Sequence, residues 1–146
     1  MGYDFDLELT TMVGKLTILW AHLEDEHYKR NCSAKDIVRK QNLRNLTENT
    51  PLYGLANALK RELIFLSGDN VNTAIANLNC RNQDLKDIIY SWLSIDGQVI
   101  DTRAVIGVIY RLRCNMFHGE KSIYSLHYQA QLFNSAIDFL TAFVPV

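Results

Sequence analysis

The stretch from Thr102 to Gly119, TRAVIGVIYRLRCNMFHG, carries the clearest helical pattern in the chain. Its apolar residues lie three or four positions from one another, a spacing that places side chains on one face of an α-helix. They are Val105, Ile106, Val108, Ile109, Leu112 and Met116. The pattern begins near Asp101 or Thr102 and ends near His118 and Gly119. It predicts a helix with one buried face and a polar, basic end.

Other runs along the chain repeat this spacing. They cover residues 12–23, 52–66, 85–93 and 126–143, with a shorter run at 69–76. The 146 residues include only 7 Gly and 2 Pro and show no β-hairpin signal, which favours long uninterrupted elements over a turn-rich sandwich. We therefore predict an all-α fold, a single-domain bundle of four to five main helices covering residues 1–146.

Local signals mark where some of these helices begin and end. Thr50-Pro51 combines an N-cap side chain with Pro at the first helical position. Gly68 suits the position just after a helix. Ser33, followed three residues later by Asp36, predicts another helix start, because the hydroxyl can accept from an early backbone N–H.

The helix that follows Ser33, at about 34–44, is short and basic. Its cations are Lys35, Arg39, Lys40 and Arg44. Because its apolar face is thin, we expect it at the surface, either as an RNA-binding rim or as a solvated face.

Composition limits the functional classes. A net charge of -1 is not that of a protein that coats nucleic acid, so any such contact must come from a local basic patch. Cys32, Cys80 and Cys114 form no C-x-x-C pair, so they indicate neither a disulfide framework nor a standard zinc site. The N-terminus lacks a signal-peptide pattern, and no apolar run is long enough to span a membrane. We expect a cytoplasmic protein with reduced thiols and no membrane partner.

The candidate catalytic and phosphate-binding residues lie at the end of the predicted Thr102–Gly119 helix. On a regular helix Arg111, Cys114, Asn115 and His118 share one face, whereas Arg113 lies off it. These residue types suit RNA cleavage without a metal or other cofactor. His can take a proton from a ribose 2′-OH or give one to the leaving 5′-oxygen, and Arg can bind phosphate oxygens as charge develops. A 2′-OH nucleophile would confine the reaction to RNA.

The string from Tyr110 to Lys121, YRLRCNMFHGEK, resembles the R-x4–6-H signature of HEPN domains. It is most similar to the subgroup with an Arg-x-Asn-x-Phe-His-Gly string. The resemblance covers these twelve residues. It implies a helical bundle that forms a homodimer, in which paired motifs build a composite, metal-independent endoribonuclease site. It also implies a role in a toxin–antitoxin or antiphage-defence system, with RNA as substrate and a cognate antitoxin or regulator as a further partner.

Alignment with that signature assigns the catalytic roles to Arg113 and His118. Arg111, Asn115 and Lys121 become supporting, phosphate-binding residues. Arg111 also satisfies the spacing to His118, so both arginines remain candidates.

Cys114 departs from the pattern, since many members have a polar residue directly after the Arg. The alternatives are a HEPN-like module that binds RNA or nucleotide without cutting, and a helical interaction module. In the latter, the Arg and His residues are only structural cations near a helix end.

Overall fold

The computed structural model describes residues 2–29, 31–40, 43–117 and 129–144, without the side chains of 2–6 and 116–117. Five helices of twelve residues or more form the framework in these ranges: α1 (Gly2–Leu23), α3 (Pro51–Leu66), α5 (Gln83–Ser94), α6 (Thr102–Phe117) and α7 (Ala130–Phe143). Two shorter helices, α2 (Ala34–Arg39) and α4 (Val71–Leu78), connect them, and a π-helical turn, Glu24–Tyr28, extends α1. The prediction of an all-α fold is confirmed.

The predicted helix starts are formed by the expected side chains. Ser33 Oγ accepts from the Asp36 backbone N–H at 3.3 Å, and the Asp36 carboxylate accepts from the Ser33 N–H at 2.9 Å, which completes a capping box. Thr50, the residue before Pro51, is the N-cap of α3, and its Oγ1 accepts from the Tyr53 N–H at 3.3 Å. These contacts satisfy backbone donors that a helix N-terminus leaves without partners.

The end of α3 also follows its sequence signal. Gly68 takes a left-handed conformation with φ 68°, and the Asp69 N–H donates to the Ile64 carbonyl at 2.9 Å. A glycine at this position allows the chain to turn back and satisfy the last carbonyls of the helix.

The region after α2 differs from its prediction. The helix ends at Arg39 rather than near residue 44, and Lys40 is extended. The chain then forms a two-residue strand, β1 (Leu46–Thr47), that pairs antiparallel with β2 (Val99–Ile100). Burial of Leu46 and Ile100 stabilises this pairing. Because the two strands are distant in sequence, no local turn signal predicts it.

α6 lies at the centre of the fold. Its predicted apolar residues from Val105 to Leu112 are buried, and it packs closely against α5 at Gly107. A Cβ added at Gly107 would lie 2.7 Å from Leu85 Cδ1, so the missing side chain permits this approach. α7 covers α3 and α1, and the packing brings the C-terminal turns of α6 beside the end of α4.

Six large apolar side chains are exposed within the described ranges. They are Leu7, Ile18, Phe65, Tyr90, Ile95 and Val99, which lie on α1, α3, α5 and the α5–α6 connection. No helix in the described ranges combines the length and the apolar character needed to cross a membrane.

Candidate functional site

Three of the five predicted site residues lie in the last two turns of α6. Arg111 and Asn115 contact each other, and Arg113 points to a different neighbour. His118 and Lys121 lie outside the described residues. The expectation that Arg111 and Asn115 share one helix face is confirmed, since Arg111 Nη2 donates to Asn115 Oδ1 at 3.1 Å.

The Arg111–Asn115 pair fastens α6 to the C-terminal end of α4. Arg111 Nε donates to the carbonyl of Leu78, the last residue of α4, at 2.9 Å. Asn115 is buried, and its Nδ2 donates to the Asn77 carbonyl at 3.3 Å and to the Leu78 carbonyl at 3.5 Å. The last carbonyls of a helix lack partners within it and carry partial negative charge, so a cation and an amide donor suit this position.

Arg113 lies on another side of α6. Its guanidinium carbon is 5.9 Å from the ring centroid of Trp20, a buried residue of α1. A guanidinium at this distance from an indole is attracted by the negative face of the ring. Two residues along a helix turn by about 200°, so Arg111 and Arg113 face different surfaces and are not interchangeable.

A groove of about 700 Å³ opens beside Arg111. It is lined by residues 33–35 at the start of α2, by residues 79–82 between α4 and α5, and by Tyr110 and Arg111 of α6. We call it the basic groove, because its charged lining residues are Lys35, Arg81 and Arg111 and none of its nine described lining residues is acidic.

Sequence reasoning found only part of this groove. It identified Arg111 and placed Lys35 in a basic segment, but it missed Arg81. Arg81 lies in the connection between α4 and α5, where no periodicity assigns a side chain to a face. One sequence signal could have located Arg81, namely its position directly before Asn82. The side chain of Asn82 caps α5 by accepting from the Leu85 N–H at 3.0 Å.

A larger cavity, of about 930 Å³, lies between α3, α5 and the β2 strand. Its lining carries both signs of charge, with Lys60 and Arg61 near Glu48, Asp87 and Asp96. This mixed charge does not favour a polyanion, so the basic groove is the better candidate for a contact with nucleic acid.

The thiol of Cys80, which lines the basic groove, is partly buried. Burial raises the pKa of Cys80, while the nearby positive charges of Arg111 and Lys86 act in the opposite direction. Burial likewise raises the pKa of Tyr110, and the neighbouring Cys114 adds to that rise. A thiol with a raised pKa stays protonated at neutral pH and is a poor nucleophile, so Cys80 has no catalytic assignment. The described residues contain no group of three His, Cys, Asp or Glu side chains placed to hold a metal ion.

No protein family, curated protein or solved structure matches this chain. The functional interpretation therefore depends on the twelve residues from Tyr110 to Lys121 and on the surroundings of α6. The basic groove and the Arg111–Asn115 pair are the parts of those surroundings that bear on nucleic-acid chemistry.

Proposed function

We propose that this chain is a metal-independent endoribonuclease of the HEPN type. The observation that carries the proposal is the Arg113-to-His118 string in the sequence, whose first five residues form the end of α6. α6 runs to Phe117, the residue directly before His118, and carries Arg111 and Arg113 in its last two turns. Arg113 and His118 are the catalytic pair in this proposal, with Arg111, Asn115 and Lys121 in support.

The reaction transfers a phosphoryl group within the RNA, from the 5′-oxygen of one nucleotide to the 2′-oxygen of the nucleotide before it. The ribose 2′-oxygen attacks the adjacent phosphorus as it loses its proton, and the bond from phosphorus to the 5′-oxygen breaks as that oxygen gains one. The products are a 2′,3′-cyclic phosphate and a 5′-hydroxyl. His118 moves these protons because its pKa range lies near neutrality. Arg113 stabilises the negative charge that develops on the phosphoryl oxygens.

The proton transfers favour a symmetric dimer. Cleavage needs one group that accepts a proton and one that donates it, but the motif supplies a single His118 per chain. Two copies related by a two-fold axis would supply both. We therefore propose a cytoplasmic homodimer in a toxin or antiphage-defence role, controlled by a cognate antitoxin or regulator. A monomer in sedimentation at micromolar concentration would contradict the composite site.

Replacement of His118 tests the proposed activity. We expect His118→Ala to lower the cleavage rate by roughly 10²- to 10⁴-fold, the usual contribution of a general acid–base group. The assay follows several labelled RNAs in EDTA and identifies the cyclic phosphate ends. His22→Ala, which alters an exposed histidine of α1, is the matched control and should cut at the wild-type rate. Equal cleavage by wild type and His118→Ala, or none by either across the RNAs, rejects the enzyme.

A second candidate is a module that binds RNA without cutting it. It is favoured by Cys114 in place of the usual polar residue and by the use of Arg111 and Asn115 in internal hydrogen bonds. This candidate predicts filter binding of RNA with no products from the wild type. Loss of cleavage with retained binding in His118→Ala would reject it.

A further inference from the structure

The basic groove combines cations from three separate elements with an aromatic side chain. We infer that it binds the backbone of single-stranded RNA, with Lys35, Arg81 and Arg111 as the phosphate contacts. The inference rests on the proposed function, since it assigns the path by which the substrate reaches the end of α6.

The local charge of the groove favours a polyanion. Asp36, the carboxylate closest in sequence to its α2 edge, is not among the lining residues, and its charge is partly satisfied by accepting from the Ser33 N–H and hydroxyl at 2.9 and 3.0 Å. Lys86, in the first turns of α5, adds positive charge near Cys80. In a protein with a net charge of -1, this is the local patch that contact with nucleic acid requires.

Arg111 is held in an orientation that suits phosphate. A guanidinium has five N–H donors. Two of them are engaged by the Leu78 carbonyl and by Asn115 Oδ1, and no described residue accepts from the others. Because these neutral acceptors already fix the plane of the half-buried guanidinium, binding a phosphate with its remaining edge costs little conformational entropy.

Lys35 and Arg81 are exposed cations on either side of this fixed one. Both are exposed, and neither forms a hydrogen bond or ion pair with a described residue. Tyr110 is half-buried and adds an aromatic wall to the lining, with its ring centroid 5.8 Å from the guanidinium carbon of Arg111 and 5.9 Å from the ring centroid of Trp20. A groove that combines cations along the path of the backbone with an aromatic wall is typical of single-strand binding. Arg111 precedes the end of α6 at Phe117 by six residues, or about 9 Å along a helix axis.

Paired charge removals test the groove. Wild type, Lys35→Gln/Arg81→Gln and the control Lys15→Gln/Arg61→Gln are titrated against a labelled 2′-O-methyl RNA 12-mer, which lacks the proposed nucleophile. The control removes two exposed cations that lie outside the groove, beside other cavities. We expect the groove variant to raise the Kd about tenfold and to reduce the salt slope of log K by about 1.4, or 0.7 per lost phosphate contact. The control should stay within about twofold of wild type, and all three proteins should melt alike.

The outcomes separate the groove from the enzyme. Wild-type affinity and salt slope in the groove variant overturn the inference, as does an absence of RNA binding by wild type. Equal displacement of the RNA by polyglutamate also overturns it, because a nonspecific anion site would bind both. Weakened binding in the groove variant without cleavage of all-ribose RNA by wild type supports the groove and rejects the enzyme. Cleavage by wild type together with unchanged binding by the groove variant supports the enzyme and rejects the groove as the RNA-binding site.

Discussion

Lys60 and Arg111 are two of the basic side chains that donate to carbonyls at the C-terminal end of a neighbouring helix. Lys60, on α3, donates to the Trp92 carbonyl at 3.0 Å and the Ile95 carbonyl at 3.4 Å, at the end of α5. Arg111, on α6, donates to the Leu78 carbonyl at the end of α4 at 2.9 Å. Each cation satisfies carbonyls that the helix itself leaves open, and each ties two helices together.

The two caps differ in what they leave unused. Lys60 is buried, and its third donor meets Asp96 Oδ1 at 3.3 Å, so all three N–H groups have acceptors. Arg111 is half-buried and uses two of five donors within the described structure. The larger cavity beside Lys60 therefore faces a satisfied cation, whereas the basic groove faces one with donors to spare. Donor number, rather than position at a helix end, separates a structural cap from a candidate binding residue.

The largest expected effect on stability follows from removal of the Lys60 cap. Lys60→Met keeps the length of the apolar stem but leaves the Trp92 and Ile95 carbonyls without this donor. We expect the free energy of unfolding to fall by about 2–3 kcal/mol, the usual cost of leaving buried polar groups unsatisfied. Urea denaturation followed by circular dichroism measures it. RNA affinity should remain that of wild type.

Asp96→Asn provides the matched control for Lys60→Met. Its carboxylate is fully exposed, so the ion pair with Lys60 is screened by water and the urea midpoint should not move. A loss in Asp96→Asn equal to that in Lys60→Met would show that the ion pair, not the carbonyl cap, stabilises α5. A loss of RNA binding in Lys60→Met would contradict the distinction between the two caps.

Replacement of Arg111 should have a smaller effect on stability and a larger one on binding. Arg111→Met should lower the free energy of unfolding by about 1–2 kcal/mol, because Asn115 still donates to the Leu78 carbonyl. We expect RNA affinity to fall by about tenfold or more, since a charged hydrogen bond to phosphate is lost. Arg111→Lys keeps the charge but not the planar guanidinium, so its RNA affinity should lie between that of wild type and that of Arg111→Met. Wild-type RNA affinity in Arg111→Met would reduce Arg111 to a second structural cap.

The sequence predicted those features whose causes lie within a few residues of one another. Ser33 with Asp36, Thr50 with Pro51, and Gly68 each act through backbone groups one turn away, and each was found where expected. The start of α6 at Thr102 and its buried face follow from a period of 3.6 residues, which is also local. The same rule placed Arg111 and Asn115 together, since four residues make about one helical turn.

Contacts between distant segments could not be predicted in the same way. Arg111 meets Leu78 across 33 positions and Lys60 meets Trp92 across 32, and only the packing of helices brings them together. The end of α2 at Arg39 has the same origin, because the chain beyond it leaves the helix to pair Leu46 with Ile100. The motif and the helical period suffice to predict Arg111 as a phosphate ligand. The packed structure was needed to see which of its N–H donors have no acceptor in the described part of the chain and that Arg113 faces another side of α6.

The smallest expected effect concerns Asn115, which we propose as a positioning residue for Arg111. Asn115→Ala removes the acceptor at 3.1 Å and leaves Arg111 with the Leu78 carbonyl as its remaining hydrogen-bond acceptor among the described residues, beside its contact with the Tyr110 ring. We expect a loss of about 1 kcal/mol in unfolding free energy and a rise of about threefold in the Kd for RNA. A double-mutant cycle separates positioning from stability. If Asn115 acts through Arg111, adding Asn115→Ala to Arg111→Met should leave RNA affinity unchanged while still lowering stability. An equal threefold loss in both backgrounds would mean that Asn115 reaches the RNA independently, and Arg111 would then owe its orientation to the end of α4.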